Sequence, residues 1–279
     1  MTTLTTLTTL TTPATAHPHA ASDPPERKAP PRVPPPEDFF LPKGYSQQTD
    51  AFTRDDARPI EGDDAYWNPE RIAASRKWQR HVYAWAAHLV QRHGLASVLD
   101  VGCGPGTKLA ELVAPVCPDV EGIDQPSAIA AARRLNIPGT FRPVDLEHPE
   151  SITPWRTFDL IIFSDVIEHL LDPGPSLDLI RRFCHPGSLV LVSTPDRARL
   201  RGRSCMASEK PEHVREWSAP ELRRYLQSQR LNVRALRALP ADDAPASRGL
   251  PRELAWRLRL APTSPHRCLA ALCRPRVTA

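Results

Sequence analysis

The sequence predicts an α/β protein with a doubly wound, mostly parallel sheet and helices on both faces. Three observations carry that prediction. From Ser97 onward, short apolar runs alternate with helical stretches at the spacing of crossover units. The first of these runs feeds directly into a turn with glycine at alternate positions. The hydrophobic fraction of 41% and charged fraction of 24% supply one large core and leave no surplus for a fibrous or wholly disordered chain.

In chain order, a Thr-Thr-Leu triplet repeat gives way to a proline-rich tract ending at Pro36. Neither can offset the entropy of ordering, so a disordered extension is expected over residues 1–38. Order is expected from Phe39 and Phe40. The first firm helix has Asn68 as its N-cap, Pro69 at its first position and Gly94 as its stop. Ile72, Trp78, Val82, Trp85 and Leu89 share one side of it, which makes Trp78 a core residue.

Strands are then expected at Val98–Val101, Val120–Ile123, Thr140–Val144, Phe158–Phe163 and Leu189–Val192. Helices reach about Val116, pass through Ala131 and cover Leu177–Phe183. Ser218 and Glu221 form a capping box. Two closing strands are expected near Leu231–Leu236 and Cys268–Cys273.

Bulk properties exclude several functions. A net charge of +4, spread along the chain, does not make a nucleic-acid surface. The six cysteines show no metal spacing and no disulfide framework, which fits a reducing compartment and predicts no bound metal. Neither a membrane-spanning run nor a signal peptide is visible, so a soluble, cytoplasmic protein is expected.

The chemistry is concentrated in Asp100-Val101-Gly102-Cys103-Gly104-Pro105-Gly106. Glycine lets the backbone itself touch a ligand lying across the strand ends. The carboxylate of Asp100 would repel a dinucleotide's pyrophosphate and attract a cationic nucleoside. The strict G-x-G-x-x-G fingerprint is also absent, because Thr107 takes its third glycine position. Asp124, after the second strand, is placed to accept both ribose hydroxyls, and Asp145, after the third, to meet an adenine amino group. Either acid alone is more often a helix cap or turn residue; their shared order after the glycine turn reverses that weighting toward a ligand.

With these residues in place, the stretch from about Ser97 to Pro195 resembles the class I S-adenosylmethionine-dependent methyltransferases, closest to the branch acting on quinone precursors, sugars and antibiotics. Asp100-x-Gly102-x-Gly104-x-Gly106, Asp124, Asp145-Leu146 and Phe158–Ile162 leading into Ile167-Glu168-His169-Leu170 carry the resemblance. It implies a Rossmann-like, seven-stranded sheet with one antiparallel strand, a helical lid region over 39–94 and a catalytic domain over 95–279. It also implies that S-adenosylmethionine is held by Asp100, Gly102, Cys103, Gly104, Gly106, Asp124, Gln125, Asp145, Leu146 and Ser164.

Methyl transfer to a hydroxyl needs a base, and histidine titrates in the right range. His169, just beyond the fourth strand, is the first candidate, with Glu168 to orient it; its plain alternative is packing at a helix start. His213 is the second candidate, although a lone loop histidine is more often a surface residue. Arg197, Arg199, Arg201 and Arg203 form either an anion clamp or a solvated basic loop. Tyr66, Trp67, Trp78 and Tyr83 are candidates for an aromatic cover over the sulfonium, with helical spacing favouring the core for Trp78.

The function expected is methyl transfer to a hydroxyl of a small metabolite. Alternatives are N- or C-methylation, a non-catalytic S-adenosylmethionine-binding subunit and a nicotinamide oxidoreductase. A base-modifying nucleic-acid enzyme is disfavoured by Ser164-Asp165-Val166-Ile167 where a Pro-Pro-aromatic sequence would stand.

Overall fold

Strand β1 (Val98–Val101) carries apolar side chains on both faces except at Asp100, the composition of a strand covered on both sides. It accordingly lies inside the sheet, paired in parallel with β2 (Val120–Asp124) on one edge and β4 (Phe158–Ser164) on the other. Beyond them lie β3 (Thr140–Pro143) and β5 (Cys184–Pro195). The strand β7 (Cys268–Pro275) runs antiparallel between β5 and β6 (Leu231–Leu239), completing the seven-stranded order β3-β2-β1-β4-β5-β7-β6. The chain leaves β1 toward β2 and returns to β1's other side as β4, so the carboxyl ends of β1 and β4 flank a topological switch point, the usual place for a ligand.

The computed structural model describes residues 33–49, 66–245 and 249–276. The extension expected over 1–38 lies outside the described residues up to position 32; Pro36–Phe39 forms a 3₁₀ turn. No helix among the described residues is long and apolar enough to cross a membrane.

Alternate residues along each strand face opposite sides, and the two faces receive different helices. On one side α2 (Arg80–His93) lays Val82, Ala86 and Leu89 over Val98, Leu160, Ile162 and Leu191. The other side holds α4 (Gly174–Arg182) and α6 (Ala219–Ser228), whose Leu177, Ile180, Leu222 and Tyr225 meet Leu99, Ile161, Phe163 and Val190. The remaining helices are α1 (Pro69–Lys77), α3 (Pro126–Arg134), α5 (Arg197–Arg201) and α7 (Leu250–Arg257). The Ser218 capping box forms as expected, its N–H donating to Glu221 Oε2 at 2.7 Å.

Three sequence expectations need correction. The helix expected from Asn68 to Gly94 is two helices, interrupted at Gln79, which adopts a left-handed φ of 59°. Trp78, expected in the core, is 51% exposed, because the interruption rotates α1 out of register with α2. The helix after the glycine turn widens into a π-type segment at Leu109–Val113 instead of running on to Val116.

The region before α2 also contributes to the main core. Phe39 is 2% exposed, edge-on to Tyr225 and Trp217 and under the Arg215 guanidinium at 3.8 Å, and its carbonyl accepts from Trp217 Nε1 at 3.1 Å. Phe39→Ala should therefore cost about 3–5 kcal/mol of folding stability, read as a lower urea midpoint with little change in slope. A midpoint within error of the parent would show that this segment does not belong to the cooperative core.

Candidate active site

The glycine turn follows β1 without a break. Gly102, Gly104 and Gly106 hold φ values of +76°, +57° and +72°, a region that favours glycine. Space is short as well: a Cβ on Gly102 would stand 2.2 Å from Val166 Cγ2, and one on Gly106 would stand 2.6 Å from Phe141 Cε1. The turn therefore touches the loop after β4 directly. Trp67 approaches it from above, 3.2 Å from where a Cβ of Gly104 would lie, and its ring packs edge-on to Tyr66.

Asp124 closes the turn from the end of β2. One carboxylate oxygen accepts from Gly104 N–H at 2.6 Å and the other from Gln125 N–H at 2.7 Å. Each oxygen keeps a further lone pair for another donor. Burial raises the Asp124 carboxyl to about 6 despite those two bonds. Asp100 is buried deeper, accepting from the Tyr83 hydroxyl at 3.0 and 3.2 Å, and burial raises it to about 7. Tyr83 thus anchors an acid and does not cover the site. Asp145 is exposed and accepts from Glu147 N–H at 2.9 Å, while its neighbour Leu146 is buried.

A second acidic group lies at the end of β4. Asp165 leaves the strand with φ +62° and accepts from Gln79 Nε2 at 3.0 Å. The same carboxamide's oxygen takes hydrogen bonds from Ser193 Oγ at 2.9 Å and Cys268 Sγ at 2.7 Å, and Ser193 is 2.7 Å from Ser164. Glu168 is fully buried and accepts from Thr194 Oγ1 at 3.0 Å, so it does not orient His169 as expected. Burial and the neighbouring Asp165 charge push the Glu168 carboxyl well up.

His169 and His213, kept apart in the sequence reading, meet edge to face with ring centroids 4.8 Å apart. His213 is 2% exposed, so it is no surface histidine. The cause is the docking of 211–217 against the loop after β4. Arg215, fully buried, donates to the carbonyls of Leu170 at 2.9 Å and Leu171 at 2.6 Å. Each ring is fixed through Nδ1, His169 on Glu212 O at 2.8 Å and His213 on Glu216 Oε1 at 2.8 Å. Burial would raise Glu216, but its bonds to His213 and Arg201 hold it at about 2. Burial pushes His169 below the usual imidazole range.

The basic series is neither clamp nor solvated loop. Arg197 pairs with Glu221 at 2.7 Å, Arg199 with Asp196 at 3.1 Å and Glu253 at 2.8 Å, and Arg201 with Glu216 at 2.8 Å. Arg203 lies over the Trp256 ring at 4.1 Å and donates to its carbonyl. Sequence spacing places these arginines near one another but does not show their partners, which come from α6, α7 and the segment before α6.

A family model described as a methyltransferase domain matches residues 73–236. The chain belongs to the class I S-adenosylmethionine-dependent methyltransferases. A Mycolicibacterium smegmatis protein named as an S-adenosylmethionine-dependent methyltransferase is 33% identical over 161 residues, 56% of this chain and 60% of the relative, so the match spans less than two thirds of that protein. A ubiquinone biosynthesis O-methyltransferase of Bradyrhizobium diazoefficiens is 30% identical over 175 residues, 58% of this chain and 67% of the relative. Two solved structures share the fold. A methyltransferase in complex with the Haloferax volcanii Trm112 activator superposes with a TM-score of 0.56 at 18% identity, covering 78% of this chain and 99% of that one. The plantazolicin methyltransferase BamL gives 0.52 at 16%, covering 79% and 92%.

The site residues fit the family's cofactor. A bare, crowded backbone turn, lone pairs left on both Asp124 oxygens and two acids raised by burial suit a ligand with hydroxyls and positive charge. Sequence reasoning missed Gln79 and Glu216. Glu216 had a weak signal, three residues after His213; Gln79 had none, since a glutamine inside a helical pattern predicts only more helix.

The raised Asp100 has a measurable consequence. Its protonated form stabilises the fold fully below the unfolded value near 4, and that contribution is lost as pH rises through about 7. Asp100→Asn removes this dependence, so from pH 5 to pH 8 the variant should gain about 2–3 kcal/mol relative to the parent. Parallel stability curves across that range would refute the assignment.

Proposed function

We propose that this methyltransferase moves the methyl group of S-adenosylmethionine to a hydroxyl of a small acceptor. The observation that carries the proposal is the meeting of His169 and His213, each fixed through Nδ1 so that its Nε2 presents a free lone pair, one loop away from the glycine turn. An amine acceptor with its own lone pair would not call for such groups. The naming of the Bradyrhizobium relative as an O-methyltransferase supports the same choice.

The cofactor supplies a methyl carbon on a positively charged sulfur. This chain's residues hold it: the Gly102–Gly106 turn with Cys103 on the amino-acid end, Asp124 and Gln125 on the ribose, Asp145 and Leu146 on the adenine side, and Ser164 at the strand end toward the acceptor. Asp100 adds negative charge beneath the turn. Catalysis is then largely alignment of acceptor oxygen, methyl carbon and sulfur, which supplies several kcal/mol. His169 and His213 take charge of the acceptor's proton, and Arg215 holds the loop that brings His213 to His169.

Since Asp100 and Asp124 must ionise to meet a cation, affinity for S-adenosylmethionine should rise from pH 5.5 to pH 7.5, by roughly tenfold if both contribute about half a unit. Calorimetry showing a flat or falling affinity would contradict this placement of the ligand. Asp124→Ala should weaken binding by about 1.5–3 kcal/mol.

His169→Ala should leave cofactor affinity unchanged and lower turnover about 10²–10⁴-fold. The assay presents labelled S-adenosylmethionine with pooled phenols, sugars and amines. Product formed only from amines, or from none of the pools, would overturn the hydroxyl assignment.

A further inference from the structure

S-adenosylmethionine carries two positive groups, a sulfonium and an ammonium, and one carboxylate. The acids around the glycine turn suit the positive groups, whereas the carboxylate calls for a partner of opposite charge. The turn itself brings a cation to the same place. Lys108 follows Gly106 by two positions, and its ammonium lies 4.8 Å from the centre of the Tyr83 ring, whose hydroxyl binds Asp100 beneath the turn.

Lys108 is half-buried and poorly supplied with partners. It donates to the Trp78 carbonyl at 3.0 Å and makes no ion pair among the described residues. An ammonium has three N–H donors, so two are left for an acceptor. Burial pulls the group below the usual lysine range, and the charges of Asp165 and Asp100 oppose that pull. A cation partly withdrawn from water, with donors unused, is a receptor for an anion. The break at Gln79 contributes here too: it ends α1 at Lys77 and presents the Trp78 carbonyl to the Lys108 ammonium.

The fold decides which anion. Tyr83 and Leu109, the neighbours of Lys108, belong to the apolar layer under α2. His169 and His213 are flanked by Ile167, Leu170 and Trp217, which belong to the layer on the opposite face of the sheet. The two faces therefore divide the space at the strand ends, with the acceptor falling to the histidines and the amino-acid tail of the methyl donor to the lysine. We propose that Lys108 binds the carboxylate of S-adenosylmethionine and so selects a methyl donor with an intact amino-acid tail. The proposal rests on the cofactor placement given above and not on the identity of the acceptor. A short carbon chain joins that carboxylate to the sulfur, so fixing the one also restrains the other for alignment with the acceptor.

The test compares, by calorimetry on the full chain, S-adenosylmethionine with its decarboxylated analogue, which lacks only the carboxylate. The unmutated protein should bind the analogue about 10–100-fold more weakly, the loss expected for one hydrogen bond between charged groups. Lys108→Met should weaken S-adenosylmethionine by a similar factor and leave the analogue unchanged or slightly tighter, so that the discrimination disappears. Lys108→Gln serves as a second variant and should give the same pattern. Lys77→Met, at an exposed lysine of α1, should change neither affinity.

Equal affinity of the unmutated protein for the two compounds overturns the carboxylate assignment without recourse to any variant, and leaves the cofactor placement standing. Variants that lose the same factor for both compounds, or for neither, also overturn it, because the lysine then acts on the fold or not at all. Failure of the unmutated protein to bind either compound would overturn the cofactor placement and the assignment together.

Discussion

Desolvated carboxyl groups at the carboxyl ends of the parallel strands are the constraint around which this molecule is organised. Asp100 at β1, Asp124 at β2, Glu168 beyond β4 and Asp196 after β5 are all withdrawn from water, and burial raises each of them. An isolated buried carboxylate is prohibitively costly, so each needs a dedicated donor, a proton or a cation. Tyr83 serves Asp100, two backbone amides serve Asp124, Arg199 serves Asp196, and Glu168 accepts from Thr194 and shares a hydrogen bond with Asp165.

The same demand explains the least regular backbone. Gln79 interrupts what the sequence pattern presents as one long helix and takes a left-handed conformation that costs a non-glycine residue free energy. In return its side chain satisfies Asp165, Ser193 and Cys268 together, drawing on β4, β5 and β7. The break also frees α1 to lean toward the glycine turn, carrying Trp67 to Gly104, while α2 stays flat on the sheet. One buried carboxamide thus separates a helix that covers the core from a helix that borders the ligand site.

What was legible in the sequence follows the range of the forces involved. Strand positions, the glycine turn, the Ser218 cap and the order of Asp100, Asp124 and Asp145 depend on local periodicity and local backbone chemistry, and the structure places them as expected. The pairing of His169 with His213 joins segments far apart in the chain, His169 and the Glu212 carbonyl that fixes its ring being 43 positions apart, and depends on Arg215 docking into carbonyls after β4, which no local pattern announces. Trp78 shows the opposite failure: its spacing matched the apolar face of α2, but a single left-handed residue after it turned the side chain to solvent.

The arginine series after β5 shows how such a long-range demand can be mistaken for a surface feature. Alternating arginines suggest a clamp for an anionic substrate, yet their guanidinium groups are already committed to Asp196, Glu216, Glu221 and Glu253. Arg201 is the informative member. By holding Glu216 ionised it keeps an acceptor ready for the His213 ring, which is thereby held against the His169 ring. The positive charge of this loop is therefore spent on orienting an acidic and imidazole-rich pocket. With Arg197, Arg199 and Arg201 so paired, they are not left free to clamp an anionic group.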